Sequence, residues 1–230
     1  MIVLEVTNMV RFLLILLLPI ILLSFAFYLK SKNLENWIVR KYIHTTGLFV
    51  IGVVCSVLES LGEILLAIII IASSLIILSL LPMQILQKIT NMGTRDGESQ
   101  LLLLMNGFVT SGVAVILLIV FFDHKWIFFG SLLSVAFGDG LGEFIGKPFG
   151  RHKYIIFSQK SVEGSLGVLI GCIFGGLLAT ITLYQFNFEI FMIVIFASIV
   201  ATIIEGLSAL FIDNILMPFS YGFILWYYLV

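Results

Sequence analysis

Charge is what this chain has least of. Asp, Glu, Lys and Arg make up 11% of 230 residues, and the net charge is −1. That balance gives no electrostatic case for a nucleic-acid partner. Cysteine is nearly absent. Cys55 and Cys172 both fall in apolar stretches, with no CxxC or Cys/His spacing to suggest zinc, and they read as small buried hydrophobes. There is no GxxxxGK[ST] phosphate loop. The run Gly140-Leu141-Gly142 has Ile145 where a dinucleotide fingerprint needs its third glycine, and an apolar span rather than a strand precedes it. No linker, repeat or low-complexity tract divides the chain, so residues 1–230 read as a single transmembrane helical domain. The first apolar run lacks a small-residue cleavage site and reads as a retained span. The absence of an Arg/Ser-rich leader argues against an organelle-targeted precursor, and a prokaryotic cytoplasmic membrane is the expected location.

What the chain does have is hydrocarbon: 61% hydrophobic residues and a mean hydropathy of +1.21. A helix crossing about 30 Å of bilayer core needs roughly 20 apolar residues. The expected fold is all-α, a polytopic integral membrane bundle of seven or eight helices. Hydropathy puts spans near 11–29, 44–59, 63–82, 101–122, 126–146, 164–185, 188–209 and 213–229. Longer connections follow the first, third and fifth spans and alternate with short ones, so they share one side. They carry Lys30, Lys32, Arg40, Lys41, Lys88, Arg95, Lys147, Arg151, Lys153 and Lys160, leaving only Arg11 and Lys125 for the other side. The positive-inside bias makes that side cytoplasmic, with the N-terminus outside. The Asp213-Asn214 turn joins it if the spans number eight.

The scarce charges are not spread evenly. Gly138-Asp139-Gly140-Leu141-Gly142-Glu143 runs on through Gly146-Lys147, Arg151-His152-Lys153 and Lys160-Ser161-Val162-Glu163-Gly164. On a helix, Asp139, Gly142, Glu143 and Gly146 share one face. Two acids one turn apart in a membrane need a cation or a basic partner, and hard oxygen ligands suit Mg²⁺. The bare faces of Gly142 and Gly146 admit a phosphate or a second backbone. Small-xxx-small helix packing is the alternative reading of the glycines. Ser161 is placed to cap the next helix, whose free N–H groups favour an anionic phosphate. Glu163 there complements the helix dipole or ligates a metal carried with the phosphates. Glu205, near the cytoplasmic end of an apolar helix, is a functional candidate by virtue of its setting. Asp213 and Asn214 lie on the same side as a candidate cap or a further polar contribution. Acids, metal and lysines around a polyphosphate form the arrangement that phosphoryl transfer requires, since that chemistry rests on positioning and charge neutralisation.

These residues resemble the polyprenol kinase family, which includes phytol kinases, dolichol kinases and the CTP-dependent diacylglycerol kinase of yeast. The resemblance is carried by Arg40-Lys41-x-x-His44, Gly138-Asp139-Gly140, Gly146-x-x-x-Gly150-Arg151-His152-Lys153, Lys160-Ser161-x-Glu163-Gly164-Ser165, Glu205, and Asp213-Asn214-x-x-x-Pro218, in matching order over about 40–218. It implies transfer of a γ-phosphate, usually from CTP, to the hydroxyl of a membrane isoprenoid alcohol (phytol, farnesol, geranylgeraniol or a dolichol) or of diacylglycerol. Arg40, Lys41, Asp139, Gly146 and Lys160 match the family positions expected to matter most. In relatives the polar island before the fourth span carries a longer Arg/Glu pattern, of which Arg95 and Glu98 remain here.

The expected site then has these parts. Asp139 holds Mg²⁺ with help from Glu143 or Glu163. Lys160, Arg151 and Lys153 neutralise the triphosphate, Arg40 and Lys41 close over it, and Gly138, Gly142, Gly146, Ser161, Gly164 and Asn214 complete the nucleotide contacts. Glu205 or Asp213 orients the lipid hydroxyl and accepts its proton, with Asp139 as the other candidate base. The lipid arrives from the cytoplasmic leaflet. Two other functions fit parts of the pattern. A CDP-lipid-forming cytidylyltransferase is similar in motif style, although the longer Asp- and Arg-rich C-terminal signature of phosphatidate cytidylyltransferases is not found here. A small membrane transporter would use the glycine-rich helices, although residues 1–115 hold no counterpart of the 138–164 block.

Overall fold

In hydrocarbon a backbone must satisfy its own hydrogen bonds, so apolar runs of this length become helices. The computed structural model describes residues 17–18, 20–22, 24–32, 34–56, 60, 62–63, 100–208 and 212–230. The span expected at 63–82 falls almost wholly outside them, as do Arg11, Glu59, Lys88, Arg95, Glu98 and the side chain of Cys55. The described chain is mostly helical. A helical segment at 24–31 precedes α1 (Asn36–Ser56). It is followed by α2 (Gln100–Val120), α3 (Lys125–Phe149), α4 (Val162–Leu183), α5 (Phe188–Leu207) and α6 (Asp213–Leu229). Among the described residues, three helices are long and apolar enough to cross a membrane: Phe122–Phe149, which adds a short 3₁₀ turn to α3, then α4 and α5.

Two boundaries differ from the hydropathy reading in ways that matter for the site. The first concerns α1, which begins at Asn36 rather than near 44, so Arg40, Lys41 and His44 stand on a helix and not on a loop. Hydropathy stops at the charges, but the helix does not need to, because acids on α3 compensate them. The second concerns the stretch after α3, which is not simply a loop. It forms an antiparallel hairpin, β1 (Lys153–Ile155) and β2 (Gln159–Ser161), with Tyr154 opposite Lys160. This short hairpin is an addition to an otherwise helical described chain. It is held by Val162 N–H donating to His152 O at 3.0 Å and by a 2.7 Å hydrogen bond between Tyr154 Oη and Ser165 Oγ.

The central helix is α3, which packs against α4, α1 and α6 and makes its largest interface with α4. That interface is a glycine seam. A Cβ at Gly171 would lie 2.2 Å from Phe137 O, and one at Gly175 would lie 2.4 Å from Leu133 O. Only glycine permits backbones this close, the small-residue packing that membrane helices use. On the opposite flank α1 runs antiparallel to α3, with Thr45 Oγ1 donating to Ala136 O at 3.0 Å. Phe121, Ile127, Phe128, Met217, Tyr221 and Leu225 are fully buried in one apolar cluster to which α2 through α6 contribute. Hydroxyls inside the bundle turn back on their own helices: Ser131 to Ile127 O, Thr180 to Gly176 O, and Ser198 to Val194 O. No water is needed to satisfy them.

These directions bring the N-terminal ends of α1, α4 and α6, the C-terminal ends of α3 and α5, and the hairpin to one end of the bundle.

Candidate active site

A cavity of about 400 Å³ opens at that end. Lys41 of α1 lines it, as do Asp139, Gly142, Glu143, Gly146 and Lys147 of α3. The hairpin and the start of α4 contribute Lys153, Ser158, Gln159, Lys160, Ser161, Gly164 and Ser165, while Glu205 of α5 and Asp213 of α6 close it. Most of the residues singled out from the sequence therefore meet around one space.

Asp139 and Glu143 lie one turn apart on α3, and a basic partner does separate them. Lys41 Nζ stands 2.6 Å from Asp139 Oδ2 and 2.9 Å from Glu143 Oε2. Its side chain is 3% exposed, and a charge that deep persists only when paired. His44, one turn along α1, brings Nε2 to 3.3 Å from Asp139 Oδ2. Glu143 is held further. Arg40 Nη2 donates to its two oxygens at 2.6 and 2.5 Å, and Lys147 Nζ reaches it at 2.9 Å. Lys147 also lies over the Trp37 ring, 4.6 Å from the centroid, a cation–π contact that steadies it.

A second ion pair sits across the cavity. Lys160 Nζ meets Glu205 Oε1 at 2.5 Å and also donates to Glu205 O, so strand β2 is tied to the last turn of α5. Ser158 Oγ donates to Ser208 O at 3.2 Å, a second tie between the hairpin and α5. Ser161 caps α4 as the sequence suggests, accepting from Gly164 N at 3.1 Å. Asp213 begins α6 and accepts from Asn214 N at 2.9 Å. Among the described residues Asp213 carries no ion pair, although the charges of Asp139, Lys160 and Glu205 all act on it.

Several candidates lie elsewhere. Gly138 faces α4 at Cys172 and Val168 and belongs to the helix seam. Gly142 and Gly146 pack in that seam and also line the cavity. Arg151 is exposed beyond the cavity. Glu163 is bonded to His152 through Nδ1, at 2.7 Å, and through its backbone N–H, also outside the cavity lining. Asn214 lines a small space with Pro218 and Leu48. Arg40 reaches the site through Glu143.

Sequence reasoning gave no site role to His44, Lys147, Tyr154, Ser158, Gln159, Ser165 or Ser208. Two of these had a readable signal. Glu143 and Lys147 are spaced i, i+4, and Lys41 and His44 are spaced i, i+3. The hairpin contacts had none, because three-residue strands leave no periodicity.

A divalent ion needs hard oxygen donors. Among the described residues, no group of three or more His, Cys, Asp or Glu side chains gathers into a metal site. Mg²⁺ does not require one, since one or two carboxylates with substrate phosphates and water are its usual shell. Glu143 is neutralised by three cations and Glu163 is bonded to His152, whereas Asp139 and Asp213 both border the cavity. The donors present fit an ion that arrives with phosphates.

No family model matches the chain, and no solved structure matches it. It is similar to a phytol kinase of Synechocystis sp., 30% identical over 129 residues that make up 54% of this chain and 49% of that protein. The chain thus spans about half the length of the curated relative it matches.

Proposed function

We propose that the chain is a lipid-alcohol kinase of the membrane, transferring the terminal phosphate of a nucleoside triphosphate, CTP in the first instance, to the hydroxyl of an isoprenoid alcohol such as phytol. The observation that carries this reading is the convergence of Lys41, Asp139, Lys160, Glu205 and Asp213 on one cavity at an end of an apolar bundle, alongside the similarity to a phytol kinase. The cavity end is assigned to the cytoplasmic face from the distribution of Lys and Arg.

Lys153 and Lys160 of the hairpin and Lys147 of α3 supply positive charge for the triphosphate, and the first turn of α4, at Ser161 and Gly164, presents its positive end to the same space. Glu205 holds Lys160 in place. Lys41 fixes Asp139, which borders the cavity. The lipid hydroxyl oxygen bonds to the terminal phosphorus, the bond from that phosphorus to its bridging oxygen breaks, and the nucleoside diphosphate leaves with the electron pair. The hydroxyl proton passes to a carboxylate, assigned here to Asp213 because it borders the cavity without an ion pair among the described residues. Mg²⁺, when bound with the phosphates at Asp139, would neutralise charge that develops on the phosphoryl oxygens.

The test is product analysis with purified protein in nanodiscs, labelled CTP, UTP and ATP, and a panel of lipid alcohols. A lipid monophosphate together with a nucleoside diphosphate is the expected outcome. A CDP-lipid with pyrophosphate would show a cytidylyltransferase instead. Labelled solute entering sealed vesicles without any lipid product would show a transporter.

A further inference from the structure

Resting on that kinase reading, we infer that the hydrocarbon end of the acceptor nearest its hydroxyl occupies a second cavity, between α1 and α3, and that Lys41 marks the boundary between lipid and nucleotide. This cavity has a volume of about 340 Å³, at the lower end of the range of roughly 300–1,000 Å³ usual for ligand pockets. Ile38 and Tyr42 of α1 and Phe137, Leu141 and Phe144 of α3 form its walls, with Leu29 of the preceding helical segment. Lys41 is the residue common to this lining and to that of the polar cavity.

Three features favour an amphiphile over a wholly apolar or wholly polar occupant. The walls offer hydrocarbon and aromatic surface, and the two threonine hydroxyls of the lining are committed: Thr45 to Ala136 O and Thr46 to Tyr42 O. The cavity therefore has little to recognise along a chain except its apolarity. Its polar end is a lysine bonded to Asp139 and Glu143, where a hydroxyl can exchange hydrogen bonds. Phe144 is about half exposed on the outer side, which leaves a lateral path from surrounding lipid. A chain whose hydroxyl reaches past Lys41 into the polar cavity would fill this cavity with its first isoprenoid units and trail the rest into the bilayer.

Such a cavity reads the near end of the chain and not its full length. Activity should rise with the first few isoprenoid units and then level off as further units lie in lipid.

The experiment uses the full chain in nanodiscs with an isoprenoid alcohol that carries a diazirine close to its hydroxyl. Photolysis and peptide mapping should place adducts within 137–144 and 38–46, and unlabelled alcohol should compete for them. In parallel, Leu141→Trp and Thr46→Phe should each lower the ratio of kcat/KM for a long alcohol over a short one at least about tenfold, the scale on which apolar pockets discriminate. Wild-type kinase activity with adducts elsewhere, or variants that leave the ratio unchanged, would overturn the inference and leave the kinase reading standing. Equal competition by a phospholipid would also overturn it, since the cavity would then hold bulk lipid. Competed adducts at these residues, with no phosphorylated product from any alcohol, would support the amphiphile site and sink the kinase reading alone.

Discussion

Lys41 Nζ lies 2.6 Å from Asp139 Oδ2 in a site where the lysine side chain is 3% exposed. The pair joins α1 to α3 and sits where the two cavities meet. Removing one member leaves the other buried without its counter-charge, a loss of about 3–5 kcal/mol in comparable pairs. Glu143 keeps Arg40 and Lys147, and Asp139 keeps His44, so Lys41→Met should fall at the lower end, about 3 kcal/mol. Its unfolding temperature in detergent should drop and its activity should vanish. The double variant Lys41→Met/Asp139→Asn should recover most of the lost stability and none of the activity. A double variant no more stable than the single one would remove the pair from its structural role.

Glu205 acts through Lys160. Because Lys160 Nζ is bonded to both the carboxylate and the backbone carbonyl of Glu205, the ammonium is aimed by the end of α5. Glu205→Gln keeps the shape and weakens a charge-assisted hydrogen bond. The KM for the nucleotide should rise about tenfold, equivalent to about 1.4 kcal/mol, while kcat for a saturating lipid changes little. Lys160→Ala should be worse on both parameters. A Glu205→Gln variant with reduced kcat and unchanged nucleotide KM would instead make the carboxylate a direct participant.

The apolar runs made most helices readable, and α2 through α6 begin and end within a few residues of where hydropathy puts them. Hydropathy failed where charge is compensated across helices. Arg40 and Lys41 look like membrane-edge residues in one dimension, and only their contact with Glu143 and Asp139, a hundred residues away, explains why α1 starts at Asn36. The acids themselves were legible, because ions so scarce in an apolar chain stand out. Their partners Lys147 and His44 were legible only as helical spacings, since both are also what a cytoplasmic margin would carry. The hairpin was invisible for a different reason: strands of three residues leave no periodicity, and its ties to α4 and α5, such as Tyr154 to Ser165 and Lys160 to Glu205, are tertiary.

Asp213 is the carboxylate of the cavity without an ion pair among the described residues. If it receives the hydroxyl proton, Asp213→Asn should reduce kcat about 10²–10⁴-fold, the usual range for a general base. Nucleotide binding, followed by protection against thermal unfolding, should survive in that variant. Asp139→Asn should differ by raising the Mg²⁺ concentration needed for half-maximal rate. Chelation of divalent ions should silence the wild type, and added Mg²⁺ should restore it. If Asp213→Asn retained most of its kcat, Asp139 would become the base.

The glycine seam makes a prediction separable from chemistry. A methyl group at Gly171 would meet Phe137 O at 2.2 Å and Gly138 N at 2.6 Å, both backbone atoms of the central helix. Backbone cannot step aside as a side chain can, so Gly171→Ala must push α4 away from α3. Overpacking of this kind costs about 1–3 kcal/mol, and the cavity built on the ends of both helices should lose its shape as well. Gly112 on α2 is the control. Among the described residues nothing lies within 4 Å of its would-be Cβ, and alanine is the better helix former by about 1 kcal/mol. Gly112→Ala should therefore hold or raise the unfolding temperature at full activity, whereas Gly171→Ala lowers both. Equal behaviour of the two variants would show that α3 and α4 are not packed backbone to backbone.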